Sequence, residues 1–186
     1  MGDIMKYTSI LLFAAAFCAT SYAPASADIA NDCYQATLEI PPSNDRIIAV
    51  CTDAIRVTTG QRRAAPLVSR GVGYMQKGSL DAAMADFDES IMLNPRDSWA
   101  YSNRANVWRL KRQYDRAISE LNDLIRRDPS FMAAYVDRGL VHQERGDIQS
   151  ARADFQAVLG MRSSHPELEK WAKDAARKGL DELANR

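Results

Sequence analysis

Between Trp99 and Lys111 apolar side chains return near every 3.6 residues, at Tyr101, Ala105, Trp108 and Leu110. That is the spacing of one face of an α-helix. A second run, from Tyr114 to Arg127, puts Tyr114, Ala117, Ile118, Leu121, Leu124 and Ile125 on one side. Asp128-Pro129 ends it, because proline disfavours a helical residue before it and has no N–H to give. Two amphipathic helices are predicted. A pair of this length cannot bury both stripes against each other, so it needs neighbours.

A shift of 34 residues finds them. Tyr101 falls on Leu67 and Tyr135, Ala105 on Gly71 and Gly139, and Trp108 on Tyr74 and His142. In the second helix Tyr114 falls on Leu80 and Ile148, Ala117 on Ala83 and Ala151, and Leu121 on Phe87 and Phe155; Pro129 matches Pro95 but meets Ser163 in the third copy. Small residues where helices cross, an aromatic nearby and a terminal proline resemble the tetratricopeptide repeat, over 64–97, 98–131 and 132–165. The resemblance implies an all-α fold, a right-handed α-solenoid of helix pairs. One departure stands out: the seventh position, usually leucine in that family, is Arg70, Arg104 and Arg138.

An arginine on the core side of a helix is costly unless paired. Sixteen residues on, each copy carries an acid: Asp86 for Arg70, Glu120 for Arg104 and Asp154 for Arg138. A ladder of structural ion pairs is expected, with arginine chosen because its planar fork bonds two oxygens. A row of arginines holding an anionic ligand is the alternative, disfavoured because each site already has its acid.

The ends of the chain differ from its middle. Residues 1–27 read as a signal peptide: Lys6, an apolar run from Ile10 to Ala19, and Ala25-Ser26-Ala27 before Asp28. Phe17 precedes Cys18 where a lipoprotein box has a small residue, which argues against lipidation. Cys33 and Cys51 then remain, an even pair that in an exported chain favours a disulfide over two buried thiols. DRIIAVCTDAI (45–55) aligns with DRAISELNDLI (115–125), so 28–63 reads as a degenerate leading repeat with two extra residues before Ala64. At the other end Pro166 opens a helix to about Ala184 with Leu168, Trp171, Ala172, Ala175, Leu180 and Leu183 in one stripe. Residues 166–186 are expected to cap the last repeat.

Catalytic chemistry is not legible. His142 and His165 are the only histidines and neither has metal-ligand spacing to a second ligand; no cofactor motif occurs. Gly71-Val72-Gly73 lies inside a helical pattern and lacks the strand a phosphate loop needs. The chain carries 24 basic and 24 acidic residues, and Asp3 and Lys6 cancel within the leader. No net field invites nucleic acid or an anionic membrane surface. An enzyme is not expected.

A surface is left. In tetratricopeptide proteins the first helix of each pair lines the concave side, and the resemblance implies a lining position by position. It gives Val68, Val72 and Met75 from the first repeat, and Trp99, Ser102, Asn103, Asn106 and Arg109 from the second. The third gives Val136, Asp137, Leu140 and Gln143. Apolar residues, amides and a tryptophan suit a peptide or partner helix. Val68, Val72, Ala133 and Asp137 stand where clamps for a terminal carboxylate carry basic residues or asparagine, and only Asn103 agrees. The expected role is a non-catalytic scaffold or adaptor for a protein or peptide in the bacterial periplasm or outside the cell, free of the membrane once the signal is cut. Two other readings stay open: an accessory factor, chaperone-like or enzymatic, in envelope processing, and a membrane-tethered protein that keeps its first helix.

Overall fold

The computed structural model describes residues 31–37 and 43–185; the leader read at 1–27 and Pro41-Pro42 lie outside them. The described residues are helices and short turns, with no strand among them. Two compact units divide the chain, one running to Arg104 and the other from Ala105 to Arg186.

In the first unit, residues 31–37 are helical (α1). They are followed by α2 (Asn44–Val57), a 3-10 turn at Gly60–Arg63, α3 (Ala64–Gln76), α4 (Leu80–Leu93) and the start of α5 (Ser98–Leu110). The Ser43 hydroxyl accepts from the Arg46 N–H and opens α2. Ile47, Cys51, Ala54 and Ile55 are the side of α2 that is buried, and Cys33 and Ala36 of α1 join that core. A disulfide links Cys33 to Cys51, with Cα atoms 4.7 Å apart. The two extra residues of this weak repeat are absorbed in the 3-10 turn.

Glycines set the packing of α3. A Cβ on Gly71 would come within 2.7 Å of the Phe87 ring in α4, and one on Gly73 within 3.1 Å of Ile47 and Ile48 in α2. The missing side chains are what let α3 approach both neighbours. Asp97 starts α5, its carboxylate accepting the N–H groups of Trp99 (3.0 Å) and Ala100 (3.3 Å). Burial raises the Asp97 carboxyl, while these two backbone bonds pull it back down.

The second unit holds the rest of α5, α6 (Tyr114–Arg127), α7 (Met132–Arg145), α8 (Ile148–Gly160) and α9 (Pro166–Ala184). Leu121, Leu124, Met132, Val136, Val141, Phe155 and Val158 are fully buried there. The α5–α6 and α7–α8 turns close alike, Gln113 N–H on Trp108 C=O (2.8 Å) and Asp147 N–H on His142 C=O (2.9 Å). Gly146 turns the second at φ 91°, and Arg112 does so in the first at φ 59°. Helix α9 packs on α7 and α8. The centre of its buried stripe is Ala172, Ala176, Gly179 and Leu183, flanked by half-buried Leu168, Trp171, Ala175 and Leu180. A glycine stands at 179 because Phe155 presses against it there.

Candidate binding face and arginine rungs

The inner positions of α3 and the start of α5 belong to the first unit. Val68, Val72, Met75, Ser102 and Asn103 are all buried, and Trp99 is half-buried. The Asn103 Nδ2 meets no acceptor among the described residues although the residue is only 3% exposed. A buried amide donor left unmatched costs about 1–3 kcal/mol.

In the second unit Asn106, Arg109, Val136, Asp137, Leu140 and Gln143 are likewise buried. Arg109, at 5% exposure, pairs with Glu144 of α7 and donates from Nε to Asn106 Oδ1 at 3.1 Å. Gln143 donates to Glu182 of α9 at 2.9 Å. Arg109 is therefore part of an internal network that fixes α5 to α7, and a ligand must compete with Glu144 for it. Among the described residues no three His, Cys, Asp or Glu side chains group as a metal site. His142 packs near Asp147 (3.4 Å), and burial holds its pKa below the usual histidine range.

The two units also carry arginine rungs. Arg70 forks onto Asp86 through Nε (2.9 Å) and a terminal nitrogen (2.7 Å), and its third nitrogen reaches Thr52 Oγ1 at 3.3 Å. Arg138 does the same in the second unit, onto Asp154 at 2.9 and 2.6 Å and onto Asn122 Oδ1 at 2.5 Å. Arg104 donates to Asp88 at 2.6 Å; its sequence partner Glu120 belongs to the other unit. The hydrogen bonds to Asp86 and Asp154 keep both guanidinium groups more firmly charged than usual. Each arginine also lies over a tyrosine ring, Tyr74, Tyr101 and Tyr135 respectively, 5.5 to 5.7 Å from the centroid.

The upstream acceptors, Thr52, Asp88 and Asn122, are partners that the sequence reading did not pick out. They occupy one repeat position once the two extra residues before Ala64 are counted. Their side chains share no charge or type, so only a hydrogen-bond acceptor in common could have marked them. The Arg70 and Arg138 rungs thus tie the first helix of a pair to its own second helix and to the second helix before it, and Arg104 makes the second of these ties, to Asp88.

A family model described as Tetratricopeptide repeat matches residues 110–166, and another of the same description matches 67–97. Tetratricopeptide repeats are present in both units. The Tetratricopeptide repeat protein 36 of Danio rerio is 34% identical over 97 residues, a match covering 49% of this chain and 52% of that protein. Stress-induced-phosphoprotein 1 of Caenorhabditis elegans is 23% identical over 59% of this chain and 34% of its own length. The chain thus spans about half or less of these curated relatives. Among solved structures, MamA 41-end from Desulfovibrio magneticus RS-1 superposes with a TM-score of 0.61 at 15% identity, covering 89% of this chain and 96% of that one. The first TPR domain of human RPAP3 gives 0.52 at 21% identity, covering 68% and 98%. At these identities the structures establish the tetratricopeptide fold, and the all-helical architecture is common to all of them.

Proposed function

We propose that this chain is a non-catalytic binding module for a protein or peptide, exported to the bacterial periplasm or beyond it after loss of residues 1–27. The observation that carries the reading is the makeup of the inner positions of the tetratricopeptide pairs, with the unmatched Asn103 amide among them in the first unit. An extended peptide supplies a carbonyl at every residue, and apolar side chains suit Val68, Val72 and Met75. Relatives whose names place them among stress-induced and co-chaperone proteins carry the same kind of repeat. The Cys33–Cys51 disulfide supports an oxidising compartment. No described helix is long and apolar enough to cross a membrane.

The experiment is crosslinking of the mature protein in its own envelope fraction, comparing wild type with Trp99→Ala and Asn103→Asp. A partner recovered with wild type and lost with both variants, at unchanged melting temperature, is the expected result. Equal recovery by all three proteins would overturn the assignment of this face.

A further inference from the structure

Four consecutive residues at the end of α7 tie it to the four other helices of the second unit. His142 lies 3.4 Å from Asp147, the residue that caps α8. Gln143 donates to Glu182 of α9 at 2.9 Å, Glu144 takes Arg109 of α5, and Arg145 reaches Asp115 of α6 at 3.0 Å. The backbone closes the same turn, with Asp147 N–H on His142 C=O (2.9 Å) and Gly146 N–H on Gln143 C=O (3.2 Å). Of the side chains involved, histidine alone is of a type that changes charge between pH 5 and 8.

We propose that His142 is an acid-operated latch on the second unit. Uncharged, its ring packs in the turn and keeps the four ties in register; protonated, it leaves the turn for water and the end of α7 loosens. The consequence for binding rests on the binding-module reading above. Arg109 and Gln143 are inner positions that take part in two of the ties, so a partner held there is released as the pH falls.

The ring is enclosed. Its Nδ1 is shielded from solvent and, although near Asp147, makes no hydrogen bond among the described residues. A proton placed on it creates a charge that is neither hydrated nor hydrogen-bonded, which the imidazole escapes by staying neutral or by moving out. Every acid around it is already engaged. Asp154 lies in the fork of Arg138, and Asp147 accepts the Ser150 N–H at 3.2 Å, so pairing with a charged His142 would draw it from the cap of α8. Asp115 holds Arg145, Glu144 holds Arg109, and Glu182 holds Gln143.

Burial, the largest influence, holds the ring's pKa below 6.5; Asp154 and Asp147 favour the proton, while Arg138 and Arg145 oppose it. A histidine whose pKa falls on folding supports the native state above its ordinary value. That support is lost as the pH drops from about 6.5 towards the folded value. The same repeat position carries Tyr74 and Trp108, whose rings accept no proton, so the latch belongs to the third repeat.

The test is hydrogen exchange of the full chain, read by mass spectrometry at pH 7.5 and 5.5 and corrected for intrinsic exchange, for wild type and His142→Tyr. Amides 142–150 of wild type are expected to lose protection about fivefold at pH 5.5, and those of His142→Tyr to keep it. Equal protection of wild type at both pH values, or the same loss in His142→Tyr, would overturn the latch. Should tyrosine not fit the slot, the imidazole titration of wild type by NMR, assigned with His165→Gln, decides. A midpoint below 6.5 is expected, and one at or above it overturns the proposal. None of these readouts uses a partner, so their failure leaves the binding-module reading to the envelope crosslinking. Repeating that crosslinking at pH 5.5 tests the coupling. Loss of the partner from wild type with retention by His142→Tyr is expected, and equal recovery from both would overturn acid release.

Discussion

A Cβ added to Gly179 in α9 would stand 2.5 Å from Cε2 of Phe155 in α8, and one added to Gly139 in α7 would stand 2.6 Å from Cε1 of the same ring. Phe155 is thus gripped at both edges by backbone. The first unit repeats half of the arrangement, with Gly71 against Phe87. In the middle repeat the corresponding positions carry Ala105 and Leu121, a methyl group opposite a side chain smaller than phenylalanine.

Gly179→Ala and Gly139→Ala are each expected to destabilise the fold by about 1–3 kcal/mol through overpacking, although alanine is the better helix former. Combining Gly139→Ala with Phe155→Leu, which reproduces the middle repeat, is expected to recover part of the loss. Urea unfolding of the four proteins in a double-mutant cycle measures it; strictly additive losses would mean that the ring and the glycine do not constrain each other.

Arg138→Ala is expected to cost about 3 kcal/mol, because Asp154 is buried and would be left without its fork. Replacing both, Arg138→Met with Asp154→Leu, is expected to cost much less, since no charge is then stranded. Chemical denaturation separates the two cases. A double variant as unstable as the single one would show that the rung stabilises by shape and not by charge pairing.

The repeat was legible because its signals are local and recur: helix spacing, small crossing residues and Asp128-Pro129 all act within a few residues of themselves. The leading helix α2 and the closing helix α9 were legible for the same reason, and the ends of α9 agree with Pro166 and Ala184. Gly179 was not, since its partner Phe155 lies 24 residues away and a lone glycine in an amphipathic helix looks neutral. Burial of the inner positions was also out of reach. Helical periodicity says which residues share a side but not what lies over it. Arg109 illustrates the limit: its place in the repeat marks it as an anchor for a ligand, while its engagement with Glu144 and Asn106 depends on side-chain geometry alone.

Removing the disulfide by Cys33→Ser together with Cys51→Ser is expected to lower stability by about 3 kcal/mol, the effect of releasing a closed loop of this length. The loss should appear in guanidinium unfolding of the variant. It should also appear in the wild type unfolded with dithiothreitol, but not when that reductant is added to the native protein, where both sulfurs are buried. Equal stability of variant and oxidised wild type would show that α1 is held by packing alone.

Arg112 carries the left-handed turn that Gly78 and Gly146 carry elsewhere, and its side chain is exposed. Arg112→Gly relieves the Cβ clash of that conformation and loses no buried contact, while adding freedom to the unfolded chain. The balance is expected to favour the folded state by about 0.5–1 kcal/mol. Thermal melting checks it, and a lower melting temperature would mean that the arginine side chain holds the turn.

The start of α9 is tied down by one carboxylate. Glu169 accepts from the Lys173 ammonium at 2.7 Å and the Ser163 N–H at 2.8 Å, with Arg162 nearby at 3.3 Å. The bond to Lys173 first, then that to Ser163, holds its pKa at about 2, below the ordinary 4.5. A carboxyl depressed on folding stabilises the native state above its ordinary pKa and loses that contribution as pH falls towards the folded value. The anchor of α9 is therefore expected to weaken between about pH 4.5 and pH 2, and Glu169→Gln to abolish that part of the pH dependence. Fluorescence of Trp171, two residues along the same helix, reports the local change. Identical acid titrations of wild type and Glu169→Gln would mean that another carboxylate governs the release of α9.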